Sequence, residues 1–129
     1  MQFQIDANSR TPIYRQLTTQ VREGVARGKL SAGEKLPSVR ELSRTLIVNP
    51  NTIAKAYSEL ERAGIVVTRA GVGAFVAEPN TGLTKKVRKE RIAVMLDELL
   101  TEAVHLGLTP EEIIAMTKDR IKNFRWTQE

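Results

Sequence analysis

The stretch SVRELSRTLIVNPNTIAKAYSELERAG, residues 38–64, decides the fold because it contains two helix starts close together. Ser38 and Glu41 form a capping box, in which the serine hydroxyl accepts a hydrogen bond from the Glu41 amide and the Glu41 carboxylate accepts one from the Ser38 amide. Asn49 and Pro50 mark a second start, because asparagine caps helices well and proline suits the first helical position. The stretch therefore predicts two short helices in quick succession.

Apolar residues at helical spacing indicate how these two helices pack. The apolar face of the first consists of Val39, Leu42 and Leu46, and that of the second, which extends from Pro50 to about Ala63, of Ile53, Ala56, Tyr57 and Leu60. Only Ile47 and Val48 separate the first helix from Asn49. Helices joined by so short a turn cross steeply, as in the helix-turn-helix motif, and the second is then the recognition helix.

The residues before this motif predict a further helix. Apolar residues recur every fourth position at Ile13, Leu17, Val21 and Val25, which indicates a helix over Pro12–Arg27 with Thr11 as its cap. Phe3 and Ile5 alternate with polar neighbours, so a short edge strand is expected there. The segment Lys29–Leu36 contains a glycine and ends before a proline, which is typical of a loop.

The residues after the motif predict a β-hairpin. Ile65–Thr68 is rich in β-branched residues, Phe75–Val76 is again strand-like, and the glycines at 71 and 73 between them indicate a turn. A hairpin directly after a recognition helix is a wing. Residues 1–78 are therefore expected to form a winged helix-turn-helix domain.

The breaker-rich residues 79–83 are expected to be a linker, and residues 84–129 a helical arm. Thr109 and Glu112 form a second capping box, which starts the second helix of the arm. Neither helix can bury its apolar face alone, so we expect a dimerisation surface made of Met95, Leu96, Leu99, Ala103, Ile113, Ile114, Thr117, Ile121 and Phe124. The expected fold class is mainly α with a small β wing: a winged helix-turn-helix domain plus a C-terminal two-helix dimerisation arm.

Composition limits the classes of function. The 129 residues contain no cysteine and a single histidine, His105, which leaves no disulfide, metal cluster or catalytic triad to assemble. We therefore expect a protein that is not an enzyme and needs no cofactor. Neither a signal peptide nor an apolar stretch of ~20 residues is present, so we expect a cytoplasmic protein.

The net charge of +5 arises mainly in the first 80 residues, which contain 11 basic and 7 acidic side chains. This excess of positive charge favours a polyanionic partner.

Three polar residues of the recognition helix are candidates for reading DNA bases. Asn51, Thr52 and Lys55 lie away from the apolar face and near the start of the helix, the part that reaches base edges in a helix-turn-helix. Asparagine bonds adenine in bidentate fashion, threonine contacts a base or a thymine methyl group, and lysine binds guanine or phosphate. Exposed polar residues usually form only a solvated face, and it is their position that favours DNA contact here.

Other basic positions have two interpretations each. Arg40 in the first turn of its helix opposes the helix dipole, so it is expected to meet a DNA anion, whereas the alternative is a surface salt bridge with Glu41 or another acid. Arg69 and Gly71 would approach the sugar-phosphate backbone or minor groove from the wing, although a hairpin glycine needs no functional explanation. The basic run Lys85–Arg91 is interpreted as a solvated linker or as an auxiliary phosphate contact.

Residues 10–77 resemble the GntR family of bacterial transcriptional regulators, and the short tail is similar to the YtrA-type subfamily. The resemblance lies in the motifs Pro12-Ile13-Tyr14, Leu36-Pro37-Ser38-Val39-Arg40-Glu41-Leu42, Val48-Asn49-Pro50-Asn51-Thr52-Ile53, Lys55-Ala56-Tyr57 and Gly71-Val72-Gly73-Ala74-Phe75-Val76. Two positions depart from the family: Pro50 stands where many members have arginine, and Ile47 replaces a common turn glycine. A positive φ at Ile47 would cost ~1–2 kcal/mol.

The resemblance implies a homodimer that binds a pseudo-palindromic operator in double-stranded DNA and represses its own operon, often one that includes a transporter. It places DNA contacts on Arg40, Asn51, Thr52 and Lys55, with wing contacts near Arg69 and Gly71. The tail is too short for the effector-binding or aminotransferase-like domains of larger relatives, and sensing of a small-molecule effector stays open. The alternative function is a winged-helix protein-interaction module without specific DNA readout.

Overall fold

The computed structural model describes residues 1–79 and 82–126. Its elements are α1 (Ile13–Ala26), α2 (Val39–Leu46), α3 (Pro50–Arg62), β1 (Val66–Arg69), β2 (Gly73–Val76), α4 (Lys85–His105) and α5 (Pro110–Ile121). The chain divides into one compact unit of Met1–Asn80 with Arg125–Glu129 and a second unit of Thr81–Phe124. Residues 80–81 of the predicted linker and 127–129 of the predicted arm lie outside the described residues.

The predicted helix caps are confirmed with one exception. Glu41 N–H donates to Ser38 Oγ at 3.0 Å, and Ser38 N–H donates to Glu41 Oε1 at 3.4 Å. The equivalent box is present at Thr109 and Glu112. The cap predicted at Thr11 is wrong, because α1 begins one residue later, so that Pro12 occupies the capping position without a side-chain hydrogen bond.

The edge strand predicted at Phe3 and Ile5 is also wrong, although both side chains pack half-buried against the core. Side-chain amides of α1 take the place of a neighbouring strand. Gln4 N–H donates to Gln20 Oε1 at 3.0 Å, and Asp6 N–H donates to Gln16 Oε1 at 2.9 Å. Each glutamine NH₂ donates in return to the carbonyl of the residue it caps. The segment is thus extended and fixed, without a β-ladder.

The core of the first unit lies where α1 and α2 pack on α3 and the wing closes the remaining side. Its buried apolar side chains come from all these elements and include Leu17, Val21, Leu42, Ile53, Leu60, Val66 and Val76. Burial of one such side chain contributes roughly 1.5–3 kcal/mol. This single core holds α3 rigidly, which leaves its polar face in solvent.

The predicted wing is confirmed as an antiparallel hairpin, with Val66 opposite Val76 and Arg69 opposite Gly73. The segment Lys29–Leu36, predicted as a loop, also pairs with the second strand of the wing. Leu36 N–H donates to the Ala74 carbonyl at 2.8 Å, and an isolated bridge joins Lys35 to Phe75. This pairing adds a short third edge to the wing, which ties it to the start of α2.

In the second unit, α4 is capped by Thr84, whose hydroxyl accepts from the Val87 amide at 3.3 Å. Apolar side chains of both helices are exposed in the single chain: Met95 is 63% and Leu99 51% accessible. Ala103 differs, being only 6% accessible and so already buried. No helix within residues 1–79 and 82–126 is long and apolar enough to cross a membrane.

Candidate nucleic-acid interface

A hydrogen bond joins α3 to the residue that precedes the cap of α2. Tyr57 Oη donates to the Pro37 carbonyl at 2.6 Å, next to the capping box of Ser38. Tyr57 is buried, and this desolvation, with the nearby negative charge of Glu41, raises the pKa of its hydroxyl to about 12. Tyr57 therefore remains a neutral donor near neutral pH and links the two helices of the motif.

The turn between α2 and α3 is strained at Ile47. This residue has φ 54° and ψ 54°, the left-handed conformation, and its side chain is 91% exposed. A β-branched residue is unfavourable in this conformation. The expected conformational cost of a positive φ, ~1–2 kcal/mol, therefore applies at Ile47. Two hydrogen bonds between Ser43 and Val48 close the turn. The Ser43 hydroxyl donates to the Val48 carbonyl at 2.6 Å, and the Ser43 carbonyl accepts from the Val48 amide at 3.1 Å.

The three predicted base-reading residues lie in the first two turns of α3. Asn51 and Lys55 are exposed and Thr52 is half-buried. The Asn51 amide is used by the helix cap, since it donates to Asn49 Oδ1 at 2.8 Å. The Asn51 side chain forms no hydrogen bond within the described part of the chain.

Lys55 has a neighbour that the sequence did not predict. Its Nζ lies 3.9 Å from the centroid of the Tyr14 ring, and the Arg15 guanidinium lies 6.0 Å from the same ring. Tyr14 belongs to the first turn of α1 and was not among the predicted site residues. Its motif gave no indication of contact with Lys55, because that contact depends on how α1 packs on α3.

Arg40 is exposed at the second position of α2. The alternative of a salt bridge with Glu41 is not realised: no ion pair involving Arg40 occurs within residues 1–79 and 82–126, and the Glu41 carboxylate accepts from the Ser38 amide instead. A cation in the first turn thus opposes the helix dipole without a protein counter-ion. An anion beyond the start of α2 would be stabilised by the Arg40 guanidinium.

The two predicted wing residues, Arg69 and Gly71, are both exposed, but only Arg69 has a side-chain contact. The Arg69 guanidinium lies 4.9 Å from the centroid of the Phe75 ring on the partner strand. Gly71 has φ 74° at the hairpin tip, with open space where a side chain would be. Thr68 Oγ1 donates to Glu61 Oε2 at 3.1 Å, which joins the hairpin to the last turn of α3.

Comparison with known proteins assigns the chain to a family. Residues 13–76 match the family of bacterial regulatory proteins named gntR. Over 117 residues the chain is 40% identical to the HTH-type transcriptional repressor YtrA of Bacillus subtilis. This alignment covers 91% of this chain and 90% of that protein. The chain belongs to the GntR family. It is therefore a DNA-binding transcriptional regulator, and the family is one of regulators rather than enzymes.

Solved structures agree with the GntR assignment. The structure of a transcriptional antiterminator from Listeria monocytogenes EGD-e aligns with a TM-score of 0.78 at 36% identity, over 93% of this chain and 90% of that one. AraR(DBD) in complex with operator ORE1 aligns with a TM-score of 0.50 at 28% identity, over 60% of this chain and 94% of that one. The predicted fold class, mainly helical with a small β wing, is confirmed.

Proposed function

We propose that this GntR-family chain is a cytoplasmic homodimeric repressor that binds a pseudo-palindromic operator near its own gene, in an operon linked to a transporter. The observation that carries the proposal is the free polar face of α3, held on the winged core by Tyr57 and Pro37. The YtrA relative, named as a repressor, and the AraR(DBD)–operator complex support the same function.

Five of the six candidate residues, all except Lys55, have a role in this proposal. Asn51 and Thr52 bind base edges in the major groove, while Arg40 binds a phosphate or guanine at the start of α2. Arg69 and Gly71 bring the wing to the adjacent backbone or minor groove. With Pro50 in place of the arginine of many relatives, base readout depends chiefly on Asn51.

Residues 1–78 are proposed as the DNA-binding domain and residues 84–129 as the dimerisation arm. The exposed apolar residues of α4 and α5 support this division: Met95, Leu96, Leu99, Ile114 and Ile121. A two-fold arrangement would present two copies of α3, and successive major grooves lie about 34–36 Å apart. The arm would therefore determine the spacing of the half-sites.

DNase footprinting of the region upstream of the gene tests the proposal. We expect one protected site containing an inverted repeat, with the protection symmetric about its centre. Protection without sequence preference would contradict the proposal. Absence of any protection, together with capture of a defined protein partner by the α3 surface, would instead support a protein-interaction module.

A further inference from the structure

Tyr14, Arg15 and Lys55 form a cluster in which two cations from different helices surround one aromatic ring. Lys55 Nζ lies 3.9 Å and the Arg15 guanidinium 6.0 Å from the Tyr14 centroid. The ring itself is half-buried and packs against the core, so it is a fixed surface. Lys55 is consequently held against α1, although its backbone belongs to the recognition helix.

The cluster has excess positive charge. Neither Arg15 nor Lys55 forms an ion pair in the described ranges 1–79 and 82–126, and both side chains are exposed. The ring attracts an ammonium group through its quadrupole but carries no formal negative charge. The Lys55 side chain is exposed and its ammonium group has three N–H donors, so donors remain for a partner besides the ring. Two adjacent cations with free donors are suited to a phosphate.

We propose that Tyr14 is a positioning residue that holds the Lys55 ammonium for a contact with a DNA backbone phosphate, with Arg15 as the second cation of this contact. A lysine held beside α1 does not have the freedom to follow base edges in the groove. In a helix-turn-helix the first helix of the motif, here α2, crosses the backbone next to the recognition helix, so phosphates lie within reach of this side of α3. Lys55 then contributes affinity that is independent of sequence. This inference rests on the proposed operator binding.

The test compares Lys55→Met, Tyr14→Leu and Tyr14→Phe for binding to the footprinted operator and to a scrambled duplex over a range of salt concentrations. Lys55→Met is expected to weaken binding to both duplexes by the same factor and to lower the salt slope by about one for each lysine removed. Tyr14→Leu is expected to weaken binding roughly two- to fivefold, the range of an exposed cation–π contact. Tyr14→Phe keeps the ring and should bind like the wild type.

The double variant separates positioning from a direct contact. In the Lys55→Met background, Tyr14→Leu should have no further effect, because the residue it positions is absent. A changed ratio of operator to scrambled affinity in Lys55→Met would overturn the inference, and so would wild-type binding by Tyr14→Leu or an additive double variant. Thermal melting checks folding, with Tyr14→Met as the replacement if Tyr14→Leu does not fold. Lack of operator preference in the wild type itself would refute the proposed function instead.

Discussion

The Tyr57 hydroxyl donates to the Pro37 carbonyl at 2.6 Å, across a separation of 20 residues. Pro37 precedes the cap of α2 and Tyr57 lies in the second turn of α3, so this bond joins the two helices of the motif in addition to their packing in the core. Burial of Tyr57 makes the bond strong and its loss expensive, because the carbonyl would remain without a partner. The exposed face of α3 is therefore oriented by a contact on its opposite, buried face.

The pKa of Tyr57, raised by burial and then by the charge of Glu41, predicts a pH dependence of stability. The pKa of Tyr57 is about 12 in the folded chain and about 10 when unfolded, so its contribution is complete below pH 10 and is lost as the pH rises toward 12. The loss amounts to about 3 kcal/mol at most. Tyr57→Phe should lower the free energy of unfolding at pH 7 and flatten its decline between pH 10 and 12, as measured by urea denaturation. An identical decline in the variant would contradict this origin.

The strained turn predicts a stabilising substitution. Ile47→Asn should raise the free energy of unfolding by about 1 kcal/mol, because asparagine tolerates the left-handed conformation and the exposed isoleucine contributes little packing. Ile47→Val is the matched control and should give no gain, since it is also β-branched. Denaturant titration measures both. Equal stability of the asparagine variant and the wild type would indicate that the turn is not strained.

Two DNA-contact variants should differ in kind. Asn51→Ala is expected to reduce discrimination between the operator and altered sites by about 1–3 kcal/mol, because a bidentate base contact is lost. Arg69→Ala should weaken binding to all sequences nearly equally, because a wing contact to the backbone carries no sequence information. Fluorescence anisotropy with single-base operator variants distinguishes them. Greater loss of discrimination in Arg69→Ala would reverse the assigned roles.

The proposed dimer surface can be tested on one helix. Leu99→Lys should raise the dimer dissociation constant more than about tenfold, because it places a charge in an apolar interface. Thr101→Lys adds the same charge at an exposed polar position of α4 and should leave the dimer intact. Sedimentation equilibrium gives both constants. Equal behaviour of the two variants would exclude this face of α4 from the interface.

The sequence predicted those features that depend on neighbours along the chain. The capping boxes at Ser38 and Thr109 involve residues three positions apart, and both helices begin within a residue of the predicted start. Features that depend on distant partners were missed. The segment around Phe3 is held by glutamine side chains of α1, and the pairing of Lys35 depends on the folded hairpin.

The candidate site shows the same division. The positions of Asn51 and Lys55 on the exposed side of α3 follow from helical spacing alone. The neighbour of Lys55 does not, because Tyr14 is brought to it only when α1 packs on α3. The strain at Ile47 is intermediate: comparison with a turn glycine suggested it, and only the folded turn gives the value of φ.

The central claim is sequence-specific binding of an inverted repeat, and its most direct test is the ratio of two affinities at one salt concentration. The wild-type chain is titrated against the upstream inverted repeat and against a scrambled duplex of the same composition, near physiological ionic strength. We expect the inverted repeat to be bound at least about 10³-fold more tightly, the lower end for specific regulators. Equal affinity for the two duplexes would contradict the account.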